Sequence, residues 1–337
     1  MEKSKIIKDK FGQNAIIVIA LVLLAFLFYL LNPNFLNKYN IVSMAQSFAP
    51  YAIMGLGVTF AIATGGIDLS IGTVCIASSV VAGKLYTLGL IPLWTTIPVM
   101  LIIGSLFGLI NGLLIAKCKL PAFIATLGTM MVSRGLSAII VNAPNIFYPT
   151  GTWFNKAFSN NNGFPIGLLW VFVFMIICMY LMYKNKVGRY ILSIGSNEEA
   201  TRLSGIDTDK YKIIAYVITG LSAGIAAVFW SASFVTVATA TGNGMELDAI
   251  AGVYIGGTSA AGGVASIGGS VIGALMLVVI RSGLNFVLAV FNISVNSTYV
   301  TYVLTGVIVV VSVLIEVLKV RSSEKIRRMK NSKKQNN

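Results

Sequence analysis

The stretch NEEATRLSGIDTDKY, residues 197–211, is the most polar part of the middle of this chain. We call it the charged segment. It holds four acidic and two basic residues, although the 337-residue sequence is 56% hydrophobic and only 11% charged. An ordinary soluble domain has about 25% charged residues. Apolar runs of about 20 residues, enough to cross a bilayer, recur on both sides of the charged segment. The composition therefore predicts an all-α, polytopic membrane protein.

The positive charge is concentrated at the chain ends and around the charged segment. The net charge is +14, and the basic residues cluster in 1–13, in 184–212 and in 319–337. Lys and Arg accumulate in cytoplasmic loops and tails of membrane proteins. We therefore expect two basic cytoplasmic tails, 1–13 and 319–337, flanking a transmembrane domain, 14–318, with the charged segment in the cytoplasm. Such sorting along a hydrophobic chain argues against nucleic-acid binding and for a multi-pass protein of the plasma membrane.

Residues that commonly carry catalysis are missing from the sequence. There is no histidine, and the three cysteines have no disulfide or metal-ligand spacing. The glycine-rich stretch 242–273 lacks the Lys-Ser/Thr of a nucleotide-binding P-loop. We therefore expect neither an enzyme nor a chain that binds its own metal or cofactor.

Two cytoplasmic ends require an even number of crossings, and the apolar runs predict ten. The run after the Lys-rich start lacks a convincing cleavage site, so we interpret it as a retained first span. The predicted spans are 14–31, 46–64, 69–88, 93–116, 121–141, 165–183, 212–233, 248–264, 266–288 and 298–318.

A weak internal repeat relates the two halves. GIDLSIG, from Gly66, resembles GMELDAI, from Gly244, and GSLFG, from Gly104, resembles GSVIG, from Gly269. Five spans separate the two sets, so they would enter the membrane from opposite sides. This predicts an inverted 5+5 repeat, a common transporter architecture.

The first candidate for a translocation path or gate is the interruption Gly65-Gly66-Ile67-Asp68. Two glycines release the helix, and Asp68 lies where the next helix would begin. Asp is a favoured N-cap, and capping is the simpler interpretation. Acids at membrane depth are costly and often functional, so Asp68 also stays a candidate.

The second half offers a parallel set of candidates. Glu246 and Asp248 precede a predicted span and have the same two interpretations, cap or path. Thr258 and Ser259 lie in the glycine-rich stretch, where close packing or a pore lining are the alternatives.

Two amides and two arginines complete the intramembrane candidates. Asn111 and Asn285 provide donors and acceptors for a polar, uncharged solute. Arg134 and Arg281 either reach the outer interface or pair with an acid such as Glu246 or Asp68.

The charged segment itself predicts a short cytoplasmic helix. Ser196 or Asn197 caps it, the two following glutamates favour its first turn, and Gly205 ends it. A lone short helix is marginal in water and gains stability from a docking partner, whereas a solvated loop is the alternative.

Four longer stretches resemble one family. They are TGGIDLSIGTV from Thr64, NGLLIAKCKLPAFIATLGTM from Asn111, VGRYILSIGSNEEATRLSGI from Val187 and ELDAIAGVYIGGTSAAGG from Glu246. Together they resemble the permease subunits of ATP-binding-cassette importers in the branch that imports simple sugars, nearest to the ribose and galactose types. The resemblance implies a type II importer fold.

The resemblance also implies roles and partners. The segment 184–211 would be the coupling segment, and its helix would dock on an ATPase subunit through Glu198, Glu199, Ala200, Arg202, Leu203, Gly205 and Ile206. ATP and Mg²⁺ would bind to that ATPase. A second permease copy, identical or closely related, and an extracytoplasmic sugar-binding protein would complete the assembly. An ion-coupled secondary transporter of a small polar solute, with Asp68 or Glu246 as the coupling acid, is the alternative.

Overall fold

The computed structural model describes residues 2–142, 145–239 and 241–291, with isolated positions of the last predicted span between 300 and 314. Side chains are described from residue 15 onward. The helices are α1 Glu2–Leu31, α2 Lys38–Ala63, α3 Ile71–Thr87, α4 Thr96–Ala116, α5 Ala122–Val141, α6 Trp153–Phe158, α7 Gly167–Met179, α8 Lys186–Ser196, α9 Glu198–Leu203, α10 Thr208–Ser233, α11 Met245–Ile255 and α12 Ile267–Val290. The strands are β1 Asn145–Phe147 and β2 Thr236–Ala238.

Six helical stretches are long and apolar enough to cross a membrane, and two shorter apolar helices, 15–31 and Ile71–Thr87, accompany them. This agrees with a polytopic membrane protein. The predicted tenth span, 298–318, and the tail 319–337 lie almost wholly outside the described residues, so the count of ten stays a prediction. The predicted tail 1–13 is continuous with α1, which begins at Glu2.

Helices α2 and α10 form the centre of the bundle. In the most apolar 18 residues of each helix, 61% of the residues of α2 and 67% of those of α10 are buried. The corresponding share for Gly167–Lys184, which contains α7, is 22%. The outer helices present large apolar side chains to their surroundings, such as Ile139 on α5 at 75% exposure. Apolar surfaces of this kind are what lipid tails contact in a membrane protein.

Glycines bring pairs of helices into backbone contact. A Cβ on Gly104 or Gly108 of α4 would meet the backbone of α10. One on Gly273 of α12 would meet the backbone of α11, and one on Gly269 that of Gly256, just after α11. Small residues at such crossings permit the close approach. The stretches GSLFG and GSVIG thus both serve helix packing, although against different partner helices, and the inverted repeat stays a prediction.

The predicted eighth span, 248–264, is not one continuous helix. Helix α11 begins before it, at Met245, and ends within it, at Ile255. With 11 residues, α11 is about 16 Å long, roughly half the thickness of the hydrocarbon core. The helix ends where Gly257 adopts φ +86°, a conformation that glycine favours. Two further glycines with positive φ, Gly262 and Gly263, continue the loop to α12.

The expectation of an all-α fold needs one small correction. Strands β1 and β2 form an antiparallel pair in which Ile146 lies opposite Val237. Both side chains are buried. The Tyr148 hydroxyl, just after β1, donates to the Ser79 carbonyl of α3 at 2.7 Å. The pair closes the end of the bundle opposite the charged segment, because β2 follows the far end of α10.

Candidate functional site

The predicted short helix is present in the charged segment as α9. The Asn197 side chain caps it by accepting from the Ala200 amide at 2.9 Å. After the helix, Gly205 adopts φ +81°, which turns the chain toward α10. Asp207 then caps α10 by accepting from the Lys210 amide at 3.0 Å. Two polar caps and one glycine therefore set the shape of the segment.

Ion pairs attach the charged segment to the neighbouring helices. Glu198 accepts from Lys212 at 2.5 Å and from Arg202 at 3.0 Å. Asp209 pairs with Lys119 at 2.7 Å and with Lys117 at 3.4 Å, both just beyond α4. The segment is thereby connected to α10 and to the loop between α4 and α5.

These pairs shift the two carboxyl groups in the same direction. Partial burial alone would raise the pKa of Glu198, but the hydrogen bond and charge of Lys212, with the charge of Arg202, outweigh burial and lower that pKa. The hydrogen bond from Lys119 is the main cause of the lowered pKa of Asp209. Both groups are therefore more stable as carboxylates in the folded chain.

One face of α9 points away from the rest of the protein. Glu199, Ala200 and Gly205 are exposed, and Leu203 is 84% exposed. Ile206 is half-buried. Thr201, which the sequence did not single out, is the buried residue of this helix, and its hydroxyl lies 2.8 Å from that of Ser193 on α8. An exposed leucine on a short, firmly capped helix is a surface suited to contact with another protein.

The amphipathic helix α8 connects the charged segment to the membrane core. A Cβ on Gly195, at its end, would meet the carbonyl oxygen of Ala63 at the end of α2 and the amide nitrogen of Gly263. The Gly263 amide also donates to the Ala63 carbonyl at 3.0 Å. A Cβ on Gly262 would meet Gly65 at 2.7 Å. We call these five residues the glycine junction.

Next to the glycine junction, Asp68 forms a buried polar cluster. Asp68 is not the N-cap of α3, because Ser70 occupies that position. Its Oδ1 instead accepts from the Ser70 amide at 2.9 Å and the Ser70 hydroxyl at 2.6 Å, with the Asn111 amide at 3.5 Å. Asn111 in turn accepts from Thr129 at 2.6 Å. The cluster joins α3, α4 and α5, and it explains why Asn111 is fully buried.

A second buried cluster contains the predicted residue Asp248. It lies in the first turn of α11, pairs with Arg281 of α12 and accepts from Thr305 at 3.2 Å. Arg281 also donates to the Tyr51 hydroxyl of α2 at 2.9 Å. Of the two interpretations of Arg281, pairing with a membrane acid is confirmed, although the acid is neither of the two examples, Glu246 and Asp68. The partner is Asp248, and the contact with Tyr51 was not predicted.

Glu246 lies where the two segments of the proposed repeat meet. A Cβ on Gly72 of α3 would come within 2.8 Å of the Glu246 backbone nitrogen. The Glu246 Oε1 accepts from the Gly244 amide at 3.1 Å, whereas the buried Oε2 of Glu246 has no hydrogen-bond partner among the described residues. Arg134 is exposed on α5.

The remaining candidates hold local structure or lie elsewhere. The Thr258 hydroxyl accepts from the Ser266 amide at 3.0 Å, and the Ser259 hydroxyl accepts from the Ala261 amide at 3.3 Å, so both stabilise the glycine-rich loop. Gly66 packs on the Tyr216 hydroxyl. Asn285 is exposed near the far end of α12, away from the Asp68 cluster.

Comparison with known proteins gives one consistent result. The ribose import permease protein of Escherichia coli K12 is 35% identical over 311 residues, which cover 89% of this chain and 92% of that protein. The D-allose transport system permease protein of the same strain is 31% identical, covering 89% and 90%. The fructose import permease protein of Bifidobacterium longum is 34% identical, covering 66% and 68%. No solved structure gives a significant match.

The family described as the permease component of branched-chain amino acid transport systems matches residues 40–313. The matched range contains both buried acidic clusters, the glycine junction and the charged segment. By this match and by its relatives, the chain is a member of that family of transport permeases.

Proposed function

We propose that this chain is the membrane-spanning permease subunit of an ATP-driven importer and that it carries a monosaccharide, ribose- or galactose-like, across the plasma membrane. The relatives that support this are named as ribose, allose and fructose permeases. The observation that carries the mechanism is the outward face of α9, where Leu203 is 84% exposed on a helix fixed by caps and ion pairs.

In the proposed mechanism, α9 is a coupling helix that docks on an ATPase subunit. Glu199, Ala200 and Leu203 supply the exposed contact, while Glu198 and Arg202 hold the helix in place. ATP and Mg²⁺ bind to the partner, and this chain has no catalytic residue. Differential ATP affinity for one conformation of the assembly then provides the bias between outward- and inward-open states.

Movement of α9 reaches the membrane domain through α8. The glycine junction connects the end of α8 to the end of α2 and to the glycine-rich loop. The Asp68 cluster begins five residues after Ala63, and it ties α3 to α4 and α5. This gives a continuous line of contacts from the docking face to the spans, with Gly65, Gly66 and Asp68 at the proposed gate.

We further propose the partners and the topology of the assembly. Two permease copies, an ATPase on the cytoplasmic side and an extracytoplasmic sugar-binding protein form the importer, and both ends of this chain lie in the cytoplasm. The basic residues around the charged segment support this orientation.

The proposed function is tested with the complete assembly in proteoliposomes. Uptake of radiolabelled D-ribose should require ATP and should persist when an ionophore collapses ion gradients. Uptake driven by a proton or sodium gradient without ATP would instead establish a secondary transporter. Uptake of L-leucine but of no sugar would overturn the substrate class.

The docking role is tested separately with Leu203→Ser. Because this side chain makes so little contact within the chain, the substitution should leave folding intact but reduce copurification of the ATPase and abolish uptake. Leu90→Ser is the matched control, since Leu90 is 67% exposed in the loop before α4, at the other end of the bundle. Equal ATPase recovery for both variants would refute the docking role.

Two further variants address the fixation of α9. Arg202→Glu replaces the positively charged partner of Glu198 with a negative charge. Gly205→Pro requires a φ near −65° at a position where the chain has φ +81°. Each should leave the protein in the membrane but uncouple ATP hydrolysis from uptake.

A further inference from the structure

Helix α7 continues into one π-helical turn before the chain reaches α8. The turn covers Tyr180–Lys184, and α8 begins two residues after it, at Lys186. We call it the π turn. Turns of this kind are rare and are found frequently at functional sites. Here the π turn is the covalent connection between a membrane span and the helices α8 and α9.

Helix α8 packs directly on the backbone of the π turn. A Cβ on Gly188 of α8 would meet the carbonyl group and the Cα of Met182. Met182 itself is fully buried. Because no side chain separates the two backbones at this point, we expect a displacement of α8 to displace the π turn as well.

The hydroxyl of Tyr183 connects the π turn to the start of α12. It donates to the Ala265 carbonyl at 3.1 Å and accepts from the Ile267 amide at 3.1 Å. Ala265 and Ile267 are 1% and 0% exposed. One hydroxyl thus bonds two buried peptide groups of another segment.

This hydroxyl takes the place of an N-cap for α12. The first amides of an α-helix have no partner within the helix, and Ile267 is the first residue of α12. Ser266, at the N-cap position, makes no capping hydrogen bond with its side chain. The cap is supplied instead by a residue 84 positions earlier, so it persists only while the π turn and the start of α12 stay together.

The π turn contains a second tyrosine that lacks this contact. Tyr180 is 58% exposed and Tyr183 is 41% exposed, so both rings are partly accessible. None of the hydrogen bonds among the described residues involves the Tyr180 hydroxyl. The two tyrosines therefore differ chiefly in what their hydroxyl groups bond.

We infer that Tyr183 is a positioning residue of the proposed transport cycle and that its hydroxyl passes movement of the coupling helix to α12. The route runs from α9 through α8 and the π turn to the start of α12, which packs on α11. The glycine junction, which reaches α2, shares none of these residues. This inference rests on the proposed function and adds a second connection between the docking face and the membrane domain.

The first measurement compares ATP hydrolysis with sugar uptake by the complete assembly in proteoliposomes. The probes are radiolabelled D-ribose, D-allose and D-fructose. Tyr183→Phe removes one hydroxyl and keeps the ring, so it should lose most of its uptake while ATP hydrolysis continues near the normal rate. Tyr180→Phe is the matched control, since it is the same chemical change in the same turn, and it should transport like the unchanged chain.

The second measurement is hydrogen exchange at the Ile267 amide, in the full-length chain in lipid nanodiscs. Tyr183→Phe should speed this exchange about fivefold, the effect of losing about one hydrogen bond. Tyr180→Phe should leave the exchange unchanged. This readout needs neither the ATPase nor a sugar.

The outcomes separate a positioning role from a structural one. If Tyr183→Phe only reduces the amount of folded assembly, uptake and hydrolysis fall together, the ATP consumed per sugar stays the same, and the inference fails. It also fails if exchange at Ile267 is unchanged, or if both variants import sugar equally well, in which case the importer stands. If the unchanged assembly imports no sugar, the proposed function fails and this inference fails with it.

Discussion

Removing the negative charge of Asp248 should destabilise the membrane domain far more than removing a surface charge. Asp248→Asn keeps the size of the side chain and an oxygen acceptor for Thr305, but it leaves Arg281 without its counter-charge. The side chains of Asp248 and Arg281 are 3% and 28% exposed. The prediction therefore isolates the energy of one nearly buried ion pair.

The magnitude follows from the burial of the two partners. Breaking a fully buried pair by removing one partner costs about 3–5 kcal/mol. The Arg281 side chain is 28% exposed and keeps its hydrogen bond to Tyr51, so we expect a loss of about 2–3 kcal/mol. Asp209→Asn, the same chemical change, should cost less than about 1 kcal/mol, because its lysine partners are 59% and 57% exposed.

The measurement is reversible unfolding in mixed micelles of increasing SDS fraction, followed by circular dichroism. Adding Arg281→Met to Asp248→Asn removes the unpaired cation and should restore most of the lost stability. If Asp248→Asn costs no more than Asp209→Asn, or if the double variant is as unstable as the single one, the pair does not contribute as its burial implies.

Three further predictions concern other parts of the chain. Gly195→Ala adds a Cβ where the backbones of α2 and the glycine-rich loop leave no space, so ATP-driven uptake should be lost in a protein that still reaches the membrane. Uptake at the normal rate would contradict the close approach of α8 to these backbones. Asp68→Asn keeps the acceptor oxygen that Ser70 uses, so uptake should persist, whereas loss of uptake at normal expression would establish a gating role for the charge. The pKa values of Glu198 and Asp209 are lowered from their ordinary 4.5 and 3.8. Their ion pairs therefore stabilise the charged segment fully above the ordinary pKa values, and this stabilisation is lost as the pH falls through the lowered pKa values. Hydrogen exchange in 197–211 should show added protection at neutral pH that disappears only on strong acidification.

The long helices could be predicted from the sequence because their signal is local. The predicted spans 93–116 and 121–141 match α4 and α5 within three residues. The N-cap of α9 at Asn197 and the end of α9 before Gly205 could likewise be predicted, because each depends on one residue type at one position. Length, hydropathy and capping chemistry are properties of adjacent residues.

Contacts between distant segments were not readable in the same way. Arg281 was expected either to reach the outer interface or to pair with an acid such as Glu246 or Asp68. Its partner is Asp248, which the packing of α11 on α12 brings close. The end of α11 at Ile255 and the pairing of β1 with β2 depend on neighbours far along the chain. The predicted inverted repeat suggested equivalent surroundings for Arg134 and Arg281. In the structure Arg281 is paired with Asp248, whereas Arg134 is exposed on α5.

The polar contact of Tyr51 was hidden for another reason. Tyr51 occurs inside an apolar run, where an aromatic side chain is usually part of the core. Only its hydroxyl, which accepts from Arg281, distinguishes it from such a core residue.

The glycine junction joins three chain segments through peptide groups alone. Where side chains separate two helices, a small displacement is absorbed as the side chains change rotamer, and little of it arrives on the other side. Peptide groups have no such freedom, so we expect a shift at the end of α8 to pass to α2 nearly undiminished. In the proposed mechanism, a stiff backbone contact thus lies where motion has to be transmitted without slack, and leaving side chains out makes it stiff.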